Sequence, residues 1–80
     1  MNILVINGPN LNLLGYREKE IYGSETLDEL MIGLENSSLG KKHHFKFFQS
    51  NHEGEIIDVI HNERDWSKGI IINPAAILSS

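Results

Sequence analysis

Residues Ile3-Leu4-Val5-Ile6 form an uninterrupted apolar run, β-branched at Ile3, Val5 and Ile6, that stops at once in Asn7-Gly8-Pro9-Asn10. No other feature constrains the fold as much. A strand with one face in water alternates apolar and polar residues, whereas a run without a polar position reads as a strand covered on both faces, the habit of parallel sheets clothed by helices. A second such run, Ile70-Ile71-Ile72, follows Lys68-Gly69 and precedes Asn73-Pro74, and Phe45-Lys46-Phe47-Phe48-Gln49-Ser50 reads as a strand between the two.

The segments between these strands carry helical signals. Thr26-Leu27-Asp28-Glu29 has the form of a capping box, in which hydroxyl and carboxylate each satisfy an orphan amide. Leu27, Leu30, Met31 and Leu34 then recur at i, i+3, i+4 and i+7, predicting a helix to about Leu39 with Gly40 as its stop. Ser50-Asn51-His52-Glu53 predicts a second box, and Ile56, Ile57, Val59 and Ile60 give the following helix its apolar stripe, ending between Glu63 and Trp66. The order β-α-β-α-β, without repeat, linker or low-complexity stretch, is the first part of an α/β doubly wound parallel sheet. Ligands of such sheets bind outside the carboxyl ends of the strands.

Composition narrows the function. The 80 residues, 40% of them apolar, allow one small domain spanning residues 1–80. A chain near this size buries only about 60% of the surface its unfolded form exposes. The absence of cysteine excludes disulfides, thiolate metal centres, iron–sulfur clusters and thiol nucleophiles. Seven Lys and Arg against eleven Asp and Glu give a charge of −4, with no basic tract longer than Lys41-Lys42, which argues against nucleic acid as a partner. The first residues carry no cationic n-region, and nowhere is there an apolar span of roughly 20 residues, so a cytoplasmic location and no membrane partner are expected. His43 and His44 point opposite ways if extended, while His52 falls in the first turn of the second helix and His61 near its end. With no His-Glu-x-x-His and no carboxylate-rich loop, no metal is assigned; no phosphate loop or Gly-x-Gly-x-x-Gly is present either.

The chemistry-bearing residues gather at the predicted strand ends: Asn7, Asn10 and Asn12 after the first, Gln49 and Asn51 after the second, Asn73 after the third. Singly, such residues cap turns. Together at adjacent carboxyl ends they suit a hydroxylated ligand of low charge better than a polyphosphate. The long loop over residues 8–23 adds Arg17 and Tyr22. A guanidinium beside a phenol favours the phenolate, so the two would serve as cation and general base on a mobile loop. A surface arginine and a turn tyrosine need no such role, and spacing alone does not separate the readings.

The motifs themselves are more specific. Ile6-Asn7-Gly8-Pro9-Asn10-Leu11-Asn12-Leu13-Leu14-Gly15, Arg17-Glu18, Tyr22-Gly23, Thr26-Leu27, Gln49-Ser50-Asn51-His52-Glu53-Gly54-Glu55-Ile56-Ile57-Asp58 and Ile70-Ile71-Ile72-Asn73-Pro74 closely resemble the type II 3-dehydroquinate dehydratases, over residues 3–76. The resemblance implies a flavodoxin-like fold and a lyase of the shikimate pathway that removes water from 3-dehydroquinate to give 3-dehydroshikimate, without metal or organic cofactor. By motif position it implies Tyr22 as the base that takes the C2 proton, and Arg17 as the cation that lowers the tyrosine's pKa and stabilises developing negative charge. Asn10 would hold the water or enolate oxygen, and Asn73 would bind the substrate. It further implies trimers associating into a homododecamer, with a neighbouring subunit's acidic residue reaching each site.

The chain also departs from the family pattern. After Asn73-Pro74 it reads Ala75-Ala76-Ile77-Leu78-Ser79-Ser80, with Ser79 where the family has a substrate-binding histidine. The family chain runs about as long again, with two more strands, the histidine acid and a carboxylate-gripping arginine. The expectation is therefore a truncated domain, its tail a run-out after a lost reading frame or an interrupted gene, with little or no dehydratase activity alone. The alternatives are an inactive remnant serving at most as a binding or assembly module and, disfavoured by the missing phosphate loop, a flavin or nucleotide binder.

Overall fold

The computed structural model describes residues 1–16 and 23–74. Strand β1 (Asn2–Asn7) leads through a short 3-10 turn at Leu11–Leu13 to helix α1 (Leu27–Asn36). A second 3-10 turn (Gly40–Lys42) precedes β2 (His44–Gln49), helix α2 (Glu53–Asn62) and β3 (Gly69–Asn73). The strands form one parallel sheet in the order β2-β1-β3, the first three positions of a flavodoxin-like 2-1-3-4-5 sheet.

Register decides which side chains share a face. Leu4 aligns with Lys46 and Ile70, and Ile6 with Phe48 and Ile72, whereas Val5 aligns with Phe47 and Ile71. Helix α2 closes the first face, where Leu4, Ile6 and Ile56 form the buried cluster with Val59 and Ile60 against it. Helix α1 stands on the other, its Met31 reaching Asn7. Lys46 lies over the Trp66 ring, 4.5 Å from its centre, and pairs with Glu63 at 2.7 Å, joining β2 to the turn after α2.

Several sequence expectations change in detail. Helix α1 ends at Asn36 rather than near Leu39, because Ser37 intercepts it: its hydroxyl donates to the Leu34 carbonyl (2.7 Å) and accepts from the Gly40 amide (2.9 Å). Gly40 remains the stop in another sense, since a Cβ there would collide with the Leu34 carbonyl. Leu30 and Ile57 fall outside the apolar stripes and are exposed. The second capping box does not form, for the N-cap is His52, two residues beyond Ser50, and it makes no side-chain cap bond. The buried Ser50 hydroxyl instead accepts from the His52 amide (2.9 Å) and reaches Glu55 Oε2 (2.9 Å). The first box forms as expected: Thr26 Oγ1 accepts from the Glu29 amide at 3.2 Å, and Glu29 Oε1 accepts from the Thr26 amide at 3.0 Å. As expected for the first three strands of the order 2-1-3-4-5, Ile70-Ile71-Ile72 is an edge strand among the described residues, its isoleucines 44–50% exposed although the run has the pattern of a strand covered on both faces.

Candidate active site

The carboxyl ends of the three strands lie side by side because the register pairs Asn7 with both Gln49 and Asn73. Backbone bonds continue the sheet into the loops: the Ser50 amide donates to the Asn7 carbonyl at 3.1 Å and the Gly8 amide to the Asn73 carbonyl at 2.8 Å. That second bond requires glycine, since a Cβ at Gly8 would sit 2.9 Å from the Pro74 carbonyl oxygen. The first loop is thus fixed to both outer strands at its root.

Above this root the carboxamides converge. Asn10 adopts the left-handed conformation (φ 68°), which asparagine tolerates better than most residues, and its amide donates to Asn51 Oδ1 at 2.9 Å. Gln49 Nε2 lies 3.2 Å from Asn51 Oδ1, 3.2 Å from the Gly8 carbonyl and 3.4 Å from Asn12 Oδ1, so its two N–H groups serve three acceptors. Asn10 and Asn73 keep exposed side chains, at the tip of this loop and at the end of β3. Asn7 does not join them. It is 2% exposed and turns under α1, its Nδ2 3.5 Å from Met31 Sδ, because it shares the face of Val5. The expected convergence therefore holds for Asn10, Asn12, Gln49 and Asn51.

Sequence reasoning placed Gln49 and Asn51 at a strand end without a role, and the geometry makes them the clamp of the Asn10 loop. The signal was the Gln49-Ser50-Asn51 tripeptide, in which two carboxamides flank a residue turned into the protein. Arg17 and Tyr22, the expected cation and base, lie outside the described residues, as does Ser79. The backbone flanking 17–22 is tightly set. Gly15 has a φ of 82°, and a Cβ there would meet the Ser24 carbonyl oxygen at 2.7 Å, so the chain before this segment abuts the chain after it.

A cavity of about 380 Å³ opens on the helix side, between α1 and the sheet, with Asn7, Met31 and Phe47 in its lining. Asp28 and Glu35 also line it, which disfavours an anionic ligand and leaves the strand ends as the candidate site for one. Among the described residues no group of three His, Asp or Glu side chains is placed to hold a metal ion, and no helix is long and apolar enough to cross a membrane. At the start of α1, hydrogen bonds from the Thr26 amide, then from its hydroxyl, hold Glu29 below the usual carboxylate range.

Comparison with known proteins decides the family. The model of the class II dehydroquinases matches residues 1–79. The chain belongs to the class II dehydroquinase family. Among its curated relatives, the 3-dehydroquinate dehydratase of Prochlorococcus marinus (strain MIT 9215) is 54% identical over 76 residues, covering 95% of this chain and 52% of the relative. That of Caldicellulosiruptor saccharolyticus is 57% identical over 75 residues, covering 92% and 52%. The crystal structure of type II dehydroquinase from Butyrivibrio crossotus superposes with a TM-score of 0.85 at 49% identity, over 96% of this chain and 54% of that one. The chain thus spans about half the length of the class II dehydroquinases it matches, and corresponds to their N-terminal part.

Proposed function

We propose that this chain carries the proton-abstracting half of a 3-dehydroquinate dehydratase site. Tyr22, as phenolate, removes the C2 proton of 3-dehydroquinate, and the Arg17 guanidinium beside it lowers the phenol's pKa and offsets the charge that develops on the carbonyl oxygen. Asn10 holds the water or enolate oxygen, and Asn73 binds a substrate hydroxyl or the carboxylate region. Loss of the C1 hydroxyl as water then needs a proton donor, the role that the resemblance gives to a histidine of the family's distal part, while Ser79 stands where the family has a substrate-binding histidine.

The observation that carries this reading is the family match over residues 1–79, joined to the exposed Asn10 and Asn73 side chains at adjacent strand ends. Two measurements test it. Dehydroshikimate absorbance with the purified 80-residue chain should rise at least about 10²-fold more slowly than with a full-length relative, the usual worth of general acid catalysis. Deuterium incorporation at C2 of dehydroquinate in heavy water, followed by NMR, isolates the first step. Exchange above the buffer rate that disappears in Y22F supports the assignment; exchange equal in wild type and Y22F overturns it.

A further inference from the structure

We propose that Asn7-Gly8 is a latent modification site, a spontaneous deamidation pair that the docking of β3 holds shut and that, once opened, turns Asn7 into a residue the fold no longer accepts. The inference depends neither on the Tyr22 chemistry nor on the family.

Asn7-Gly8 is the only Asn-Gly pair in the chain. An asparagine carboxamide is open to attack by the backbone nitrogen of the next residue, and a following glycine, having no Cβ, neither obstructs the approach nor restrains the turn it needs. The Gly8 nitrogen gives its proton to hydroxide and bonds to Asn7 Cγ, and the Cγ–Nδ2 bond breaks to release ammonia. Water then opens the succinimide at one or other carbonyl, leaving an aspartyl or an isoaspartyl link. Asn73 is immune to this route, because the nitrogen of Pro74 has no proton to lose.

The folded chain blocks each requirement. Asn7 ends β1, and the extended backbone turns the Gly8 nitrogen away from the side chain it would attack. The Gly8 N–H is committed to the Asn73 carbonyl at 2.8 Å, and Asn7 and Gly8 are both buried. The weakness itself is imposed by packing. A Cβ at position 8 would sit 2.9 Å from the Pro74 carbonyl oxygen, so close approach to the end of β3 demands the glycine that makes Asn7 reactive.

Ring closure therefore requires Asn73 to withdraw, and β3 is the strand placed to do so. Among the described residues it pairs with β1 alone, while β1 keeps β2 on its other side. The product does not fit back. A carboxylate at position 7 would lie beneath α1 in the cavity that Asp28 and Glu35 also line, where desolvation and like charge both oppose it.

The test incubates the 80-residue chain at mildly alkaline pH, in native buffer and in guanidinium chloride that unfolds it, and locates the mass gain by peptide mapping. Asn36, exposed at the end of α1, is the internal reference. Asn7 should be the first asparagine to react in denaturant and should react at least about 10-fold more slowly in native buffer. A folded Ile71→Ala chain, loosened at an exposed position of β3, should raise the native rate at Asn7 roughly 2- to 5-fold and leave Asn36 unchanged. Equal rates in the two media overturn the proposal, as does native protection that Ile71→Ala leaves intact. A rise at Asn7 and Asn36 together also overturns it, since that marks global unfolding rather than release of β3. Asn7→Asp, the product of the reaction, should unfold at a lower denaturant midpoint; an unchanged midpoint overturns its exclusion from the fold.

Discussion

One oxygen, Asn51 Oδ1, accepts both the Asn10 amide and the Gln49 carboxamide, and so sets the height and direction of the loop that presents Asn10. Removing it in Asn51→Leu should free the Asn10 amide, whose hydrogen exchange is expected to rise roughly 2- to 10-fold, the equivalent of one net hydrogen bond. Asn51→Asp retains an acceptor at that place and should restore protection; equal exchange in the two variants would show that Asn51 does not hold the loop. The sequence made this cluster visible as residue types but not as partners. Asn7 shows why: it shares a row and a face with Gln49 and Asn73, but it stands on the central strand, where α1 covers it, and so is buried instead of joining the loop above.

At the scale of elements, α1 is fixed at its start by chemistry and at its end by competition. Thr26→Ala removes the hydroxyl that accepts the Glu29 amide and should cost about 1 kcal/mol, read as a lower urea midpoint. Glu29 has a folded-state pKa below its unfolded value, so its contribution is fully present above the ordinary carboxylate pKa and is lost as pH falls through the lowered folded value. The midpoint should therefore drop on acidification across that window, and less steeply in Glu29→Gln; identical acid limbs would remove Glu29 from the account. The existence and order of all five elements were legible, because apolar runs and i, i+3, i+4 spacing record burial directly. Their ends were less so. Ser37 stops α1 by a side-chain bond to Leu34, and Ser50 serves Glu55 where the pattern pointed to Glu53, since a hydroxyl within reach of several backbone groups leaves no unique trace in spacing. The roles proposed for Arg17 and Tyr22 rest on the motif, because neither residue takes part in the periodicity from which helices and strands are read.

As a whole the molecule is broader than its length requires: the radius of gyration is 13.2 Å, against about 12 Å for a compact chain of this size. Among the described residues only Leu4, Val5, Ile6 and Ile56 are buried large apolar side chains, so stability is concentrated on β1. Ile6→Ala should cost about 2–5 kcal/mol, a large share of the roughly 4–12 kcal/mol available to a domain of this length. Loss of a cooperative thermal transition by circular dichroism is the expected result, and a sharp transition within a few degrees of wild type would contradict it. The bond from the Gly8 amide to the Asn73 carbonyl joins the root of the first loop to the end of β3, 65 residues further along the chain. Closures this distant in sequence come late in folding, because the intervening chain must be ordered before the contact rewards it. The loop bearing Asn10 therefore acquires its final position only after the last strand has arrived, and binding competence becomes a report on finished folding.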